Sequence, residues 1–407
     1  MKPLAVLLIW LALASSAFAQ LPGVELPSLP PVQELPDRLG DETQTLRDRL
    51  DLRRLRIEER LRLAPRELER GPRGELIVRA EVLAWSPTPA ALNAARSAGF
   101  TIVREDALEE LGARIVVLRA PHNMSTARAL RRLRGLDPDG AYDFNHIYVE
   151  SGETTPPPLR PPLPLPAPRR VGLIDGGLDS AHPTFRGVSI QQRGFIGAAR
   201  PSAHAAATGS LLIGGAGAGT LYVADVYCGA PTGGSASTVA RALAWMAAED
   251  VGVINVSLVG PANRTLQAAV LALQRRGHVI VAAVGNDGPA ARPLYPAAYD
   301  GVVGVTAVDR RRRVLLEAGR GAHVDFAALG SDVSAASTGG GFVSVRGTSF
   351  AAPLVARLLA ERLDRPDRAE AERAIALLAQ SALDLGPRGR DNIYGAGLLG
   401  RELTEPR

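Results

Sequence analysis

A serine made nucleophilic by a histidine, with a carboxylate behind the histidine, is the side-chain set for acyl transfer. The serine in the best setting is Ser349. It lies in the run Val345-Arg346-Gly347-Thr348-Ser349-Phe350-Ala351-Ala352-Pro353-Leu354-Val355-Ala356. Small residues precede it and an apolar stretch follows to about Leu363, which predicts a helix with Ser349 in its first turn. Unpaired N–H groups and the positive end of the helix dipole favour negative charge there, as an oxyanion requires. The same pattern also suits a plain helix cap, so the serine needs partners. The chain has 6 histidines. His122 and His146 lie in an upstream region of different character, His182 sits in a loop beside a proline, and His278 and His323 stand at strand starts. His204 opens a small-residue segment that can be helical, and Asp175 ends the apolar run Val171–Ile174. Spacing alone does not bring Asp175, His204 and Ser349 together.

The elements that must position these residues read as alternating apolar strands and helices from residue 170 onward. Strands are expected at 171–174, 221–226, 253–258, 278–284 and 302–308. Helices are expected at 203–213, 235–248, 264–276, from Ser349 onward, and at 368–382. Such alternation predicts an α/β domain over 170–403, a mostly parallel sheet with helices on both faces. Functional residues then gather at the carboxyl ends of the strands, where Asp175 and Asn286 fall. Upstream, residues 71–152 read β-α-β-β-α-β, with a final strand at Asn145–Glu150, and predict a small ferredoxin-like α+β domain. Residues 153–169 are proline-rich, a stiff linker composition. Residues 20–70 combine a proline-rich stretch with a charged helix over 43–63. Arginine interrupts its apolar stripe (Leu46, Leu50, Ile57, Leu61), so that helix is expected to be solvated or packed on a partner.

Residues 1–19 have the form of a signal peptide: Lys2, an apolar run too short to span a bilayer, and Ala17-Phe18-Ala19 before Gln20. The expected location is therefore periplasmic or extracellular, with no membrane anchor after signal removal. Cys228 is the sole cysteine, which excludes an intrachain disulfide. The 407 residues carry a formal net charge of +5 with only 4% aromatics. Acidic residues interleave with the arginines, so nucleic acid is not an expected partner. No compact run of oxygen ligands marks a metal site. No cofactor is expected to be required, structural calcium is left open, and Asp179 and Asp325 read as solvated or structural.

Several motifs in order carry a family resemblance. Val171 to Pro183, with Asp175, resembles the aspartate motif of the subtilisin-like serine proteases, and Val345 to Ala356 resembles their serine motif. Val281 to Gly288 is similar to the segment bearing their oxyanion asparagine, and Ile254-Asn255-Val256-Ser257-Leu258 to their substrate-binding strand. The order Asp, His, Ser is also that of subtilisin. The resemblance spans about residues 169–399. It implies a serine endopeptidase in which Ser349 is the nucleophile, His204 the base and Asp175 its orienting acid. It also implies an oxyanion site at Asn286 and the Ser349 N–H, with extended protein or peptide substrates pairing along Ser257 and Leu258. Leu294, just before Tyr295-Pro296, would lie near the floor of a shallow specificity pocket for small or medium apolar side chains. The small domain, ending Asn145-His146-Ile147-Tyr148-Val149-Glu150, resembles the propeptide of these enzymes. That makes it an expected intramolecular inhibitor or folding chaperone, with processing between Glu150 and Arg170. One motif departs from the pattern: where the family has His-Gly-Thr, this chain has His204-Ala205-Ala206. The alternative is therefore a catalytically degenerate binding or regulatory protein on the same fold.

Overall fold

The structure, a computed structural model, describes residues 53–155, 168–214 and 219–400. The expected signal peptide, the proline-rich stretch after it, residues 43–52 of the charged helix and most of the proline-rich linker lie outside the described residues.

Helix α1 (residues 53–63) precedes a small antiparallel sheet of β1 (Leu68–Arg70), β2 (Leu76–Trp85), β3 (Thr101–Leu108), β4 (Ala113–Arg119) and β5 (Ala141–His146). The order is β1-β2-β4-β3, with β5 also paired to β2. Helices α2 (Pro89–Ser97) and α3 (Thr126–Leu136) supply the expected β-α-β-β-α-β succession from β2 to β5. Each starts at a side-chain cap: Thr88 accepts from the Ala91 N–H, and Ser125 from that of Arg128. Strand alternation then divides the buried residues. Val82, Val116 and Leu118 face α2 and α3, whereas Leu83, Ile115 and Val117 join the core of the following domain. The sheet therefore begins at Leu68, upstream of the expected boundary at residue 71, because β1 is hydrogen-bonded to β2. The strand expected at Asn145–Glu150 divides. β5 ends at His146, and β6 (Val149–Glu150) leaves for the next domain, followed by β7 (Glu153–Thr155).

The second domain contains β8 (Arg170–Asp175), β9 (Ser189–Gly194), α4 (Ala203–Ile213), β10 (Thr220–Asp225), α5 (Ala236–Ala248), β11 (Val253–Val256) and β12 (Leu258–Val259). It continues with α6 (Arg264–Arg275), β13 (Val279–Ala283), β14 (Val303–Val308), β15 (Phe326–Leu329), β16 (Ser331–Ala336), β17 (Phe342–Arg346), α7 (Thr348–Ala360), α8 (Arg368–Ser381) and β18 (Leu398–Leu399). The main sheet has the order β18-β15-β14-β13-β11-β8-β10-β9, and every pairing in it is parallel. Helices cover both faces: α4, α7 and α8 pack on one core, α5 and α6 on the other. This explains why the central strands read as continuous apolar runs. The chain goes to one side of β8 for β10 and to the other for β11, so the order reverses at β8. The carboxyl end of β8 is such a crevice, and Asp175 is its last residue.

Candidate active site

Asp175 is fully buried at the end of β8. Its Oδ1 accepts from the Gly176 N–H at 2.7 Å, and both oxygens lie about His204 Nδ1, at 3.0 and 2.9 Å. His204 sits in the first turn of α4, whose cap Ser202 accepts from the Ala205 N–H. The departure at Ala205 and Ala206 falls on two buried positions of α4. Ala205 Cβ lies 3.7 Å from where a Cβ on Gly176 would stand, an ordinary contact; the close approach to Gly176 is that of Ser202. Thr208, one turn on from His204, brings its hydroxyl 3.1 Å from Asp175 Oδ2. The carbonyls of His204 and Ala205 are also within its reach, but a charged acceptor makes the stronger bond. Sequence reasoning missed Thr208; its i+4 spacing from His204 on a helix was the available signal.

Ser349 is the second residue of α7, fully buried. Pro353 lies inside that helix; lacking an N–H, it leaves the Ser349 carbonyl without its i+4 donor. The Ser257 hydroxyl takes that place, donating to Ser349 O at 2.9 Å. Ser257 therefore braces the nucleophile with its side chain, while the pairing strand is Leu258–Val259. Asn286 Oδ1 accepts from the Thr348 N–H at 3.1 Å, which aims the amide. The other end, Nδ2, is buried without a hydrogen-bond partner. Gly347 is required beside it: φ is +135°, and a Cβ would stand 2.9 Å from Asn286 Nδ2 and 2.8 Å from Gly152 Cα.

The chain's own residues 147–155 run through this site. Ile147 bridges Ser235, and the Tyr148 N–H donates to Gly234 O. Val149 and Glu150 pair antiparallel with Val259 and Leu258. Past the nucleophile, Glu153, Thr154 and Thr155 pair antiparallel with Arg346, Val345 and Ser344. Ser151 and Gly152 lie between these pairings. Ser151 Oγ is 2.8 Å from Ser349 Oγ, and Ser151 O is 3.3 Å from His204 Nε2. Ser349 Oγ also donates to Ser257 O at 3.2 Å. Leu294 is buried against Gly285, in one apolar cluster with Val149, Val259 and Ile57.

Among the described residues, Glu150, Asp175 and His204 form the one cluster of potential metal ligands, their atoms within 4.8 Å of one another. The Asp175 oxygens are already taken by His204, Gly176 and Thr208, so the cluster reads as charge packing. Burial alone would push the His204 imidazole down, but Asp175 and Glu150 outweigh it and hold the pKa at about 9. Burial pushes Glu150 up, against the pull of His204. Four of the other five histidines are engaged elsewhere: His122 on Asn123, His146 on Asn263, His182 on Gly341 and His278 on Val251. Cys228 is buried.

Residues 170–397 match the family model of the subtilase family. M-protease of Shouchella clausii is 34% identical over 185 residues, 45% of this chain and 47% of the relative. Subtilisin Savinase of Lederbergia lenta has the same identity over 45% of this chain and 67% of its own length. This chain thus spans about half the length of the first of these relatives. In structure, fervidolysin from Fervidobacterium pennivorans, a keratinolytic enzyme, matches with a TM-score of 0.65 at 18% identity, over 81% of this chain and 61% of the other. The protease domain of PatA matches with a TM-score of 0.51 at 27% identity, over 58% and 94%.

Proposed function

The chain belongs to the subtilase family, and from that premise we propose that it is an exported serine endopeptidase that first cuts itself. The observation carrying this reading is the extended segment 147–155, held by strand pairing on both sides of Ser349. Main-chain pairing of this kind recognises an unfolded substrate backbone.

In the proposed reaction Ser349 Oγ attacks the scissile carbonyl while His204 Nε2 takes its proton. Asp175 holds Nδ1–H and stabilises the imidazolium, with Thr208 and Gly176 fixing the carboxylate. The tetrahedral oxyanion is received by Asn286 Nδ2 and the Ser349 N–H. His204 returns the proton to the leaving amine, and water then hydrolyses the acyl-enzyme by the same route. The unpartnered Nδ2 of Asn286 supports this assignment, since a buried donor left empty is costly unless something comes to fill it.

The self-processing bond would be Ser151–Gly152, inside the interval expected from sequence. The small domain, with its tail through Ser151, would then act as an intramolecular inhibitor or folding chaperone. The segment also suggests specificity. Ser151 puts a small side chain before the bond, whereas Leu294 packs in the cluster that holds Val149, two residues earlier. Tyr148, three residues upstream, is buried over Gly260 with its hydroxyl bonded to Pro261 O. Substrates with a small residue before the bond and an aromatic three earlier are therefore expected. Export rests on residues 1–19; no helix among the described residues is long and apolar enough to cross a membrane. The degenerate alternative draws on Ala205 and Ala206; the contact of Asp175 with His204 Nδ1 at 2.9 Å supports the active reading. Hydrolysis of a casein-type substrate, compared with Ser349→Ala, tests the reading: equal rates refute it.

A further inference from the structure

Helix α1 is not a strand of the small sheet, yet it reaches the segment that passes Ser349. It docks through Ile57, buried in the cluster that holds Val149, Val259 and Leu294. Arg53 pairs with Asp287, next to Asn286. Arg60 donates to Gly233 O at 3.2 Å and lies 5.6 Å over the Tyr227 ring. Between them, Arg56 Nη1 donates to Glu150 O at 2.6 Å and Nη2 to Gly152 O at 2.7 Å. One planar guanidinium thus holds the carbonyls on either side of Ser151.

We infer that α1, which also packs on the small sheet through Leu68, Leu76 and Val78, is a latch on the self-segment, and that Arg56 is the positioning residue that keeps the Ser151–Gly152 bond uncut. The inference rests on the protease reading above. In an extended chain successive carbonyls point to opposite sides. Arg53, Arg56 and Asn286 line one cavity beside residues 150–153. Pinning the carbonyls of Glu150 and Gly152 toward Arg56 turns that of Ser151 the other way, to His204 Nε2. The Nδ2 of Asn286 is left empty. Attack in this arrangement would raise an oxyanion away from its donors. The nucleophile is also occupied, by Ser151 Oγ and Ser257 O. With Arg56 gone, no other side chain among the described residues donates to the two flanking carbonyls, and the Ser151 peptide is free to rotate toward Asn286.

The full-length chain, purified uncut, tests this. Intact mass follows cleavage at Ser151–Gly152 in wild type, Arg56→Ala, Arg56→Lys and Arg60→Ala, and a serine-directed phosphonate reports on Ser349 in the same samples. Lysine keeps the charge and the helix but is a point donor that cannot fork to two carbonyls. Loss of two charge-assisted hydrogen bonds is expected to accelerate self-cleavage by roughly tenfold or more in both Arg56 variants. Arg60→Ala, on the same helix but off the scissile segment, is expected to stay close to wild type. Unchanged or slower cleavage in both Arg56 variants, with Ser349 still labelled, overturns the latch alone. Absence of both labelling and cleavage in every chain overturns the protease reading and the latch with it.

Discussion

Replacing Glu150 by glutamine should move the pH at which the uncut chain begins to cleave itself. Burial disfavours a charged His204, but Asp175 and Glu150 hold its pKa at about 9, against an ordinary 6.5. That difference corresponds to about 3 kcal/mol in favour of the imidazolium. The sign follows from a raised basic group: its contribution to holding the tail is complete below about pH 6.5 and is lost as pH rises through about 9. The imidazolium cannot accept the Ser349 proton, so self-cleavage should rise with pH toward that upper value. Asp175 is the larger charge acting on His204, and Glu150 follows. Glu150 in turn faces Arg56 and Arg60 as well as His204 and Asp175, and Tyr227 lies close by. Removing its charge should lower the His204 pKa and so raise the share of neutral imidazole at any fixed pH below the midpoint. The assay is an intact-mass time course of the purified uncut chain across a pH series. A Glu150→Gln variant whose rate profile overlays wild type would refute the electrostatic argument.

Two further substitutions probe the site in the mature enzyme. Asn286→Ala should lower kcat by about 10²–10³ with little change in KM, a magnitude known for the equivalent loss in subtilisin itself; a pure KM effect would remove Asn286 from the oxyanion site. Thr208→Val keeps the shape and removes the hydroxyl facing Asp175, and should lower kcat about tenfold, the cost of one hydrogen bond to a charged group; unchanged kcat in the steady state would show that Thr208 bonds only its own helix.

The sequence exposed the parts of this molecule that depend on local pattern. The run around Ser349 encodes its helix start, and the apolar strands β8, β11, β13 and β14 announce a sheet covered on both faces. It hid what depends on register and on distant pairing. β9, Ser189–Gly194, is a mostly polar edge strand, and the alanine- and serine-rich β15 and β16 lack a strong strand signal. Asn145–Glu150 reads as one strand because nothing local shows that its halves join different sheets. The charged helix over 43–63 reads as solvated or partner-packed; for its described part, 53–63, the partner is the same chain, through Ile57 and Arg56. The alanines after His204 stand out in the sequence, but only the fold shows that both are buried in the helix that carries His204. The hydroxyl at Thr208 lies one helical turn beyond the motif.

The most direct test of the central claim is intact-mass labelling of the protein with a serine-directed phosphonate, with Ser349→Ala and His204→Ala in parallel. The account predicts a single adduct on Ser349 in the wild-type enzyme once residues up to Ser151 have been cut away, with none in Ser349→Ala and strongly slowed labelling in His204→Ala. Equal labelling of all three chains, or none in a wild-type chain cut at Ser151–Gly152, would contradict it.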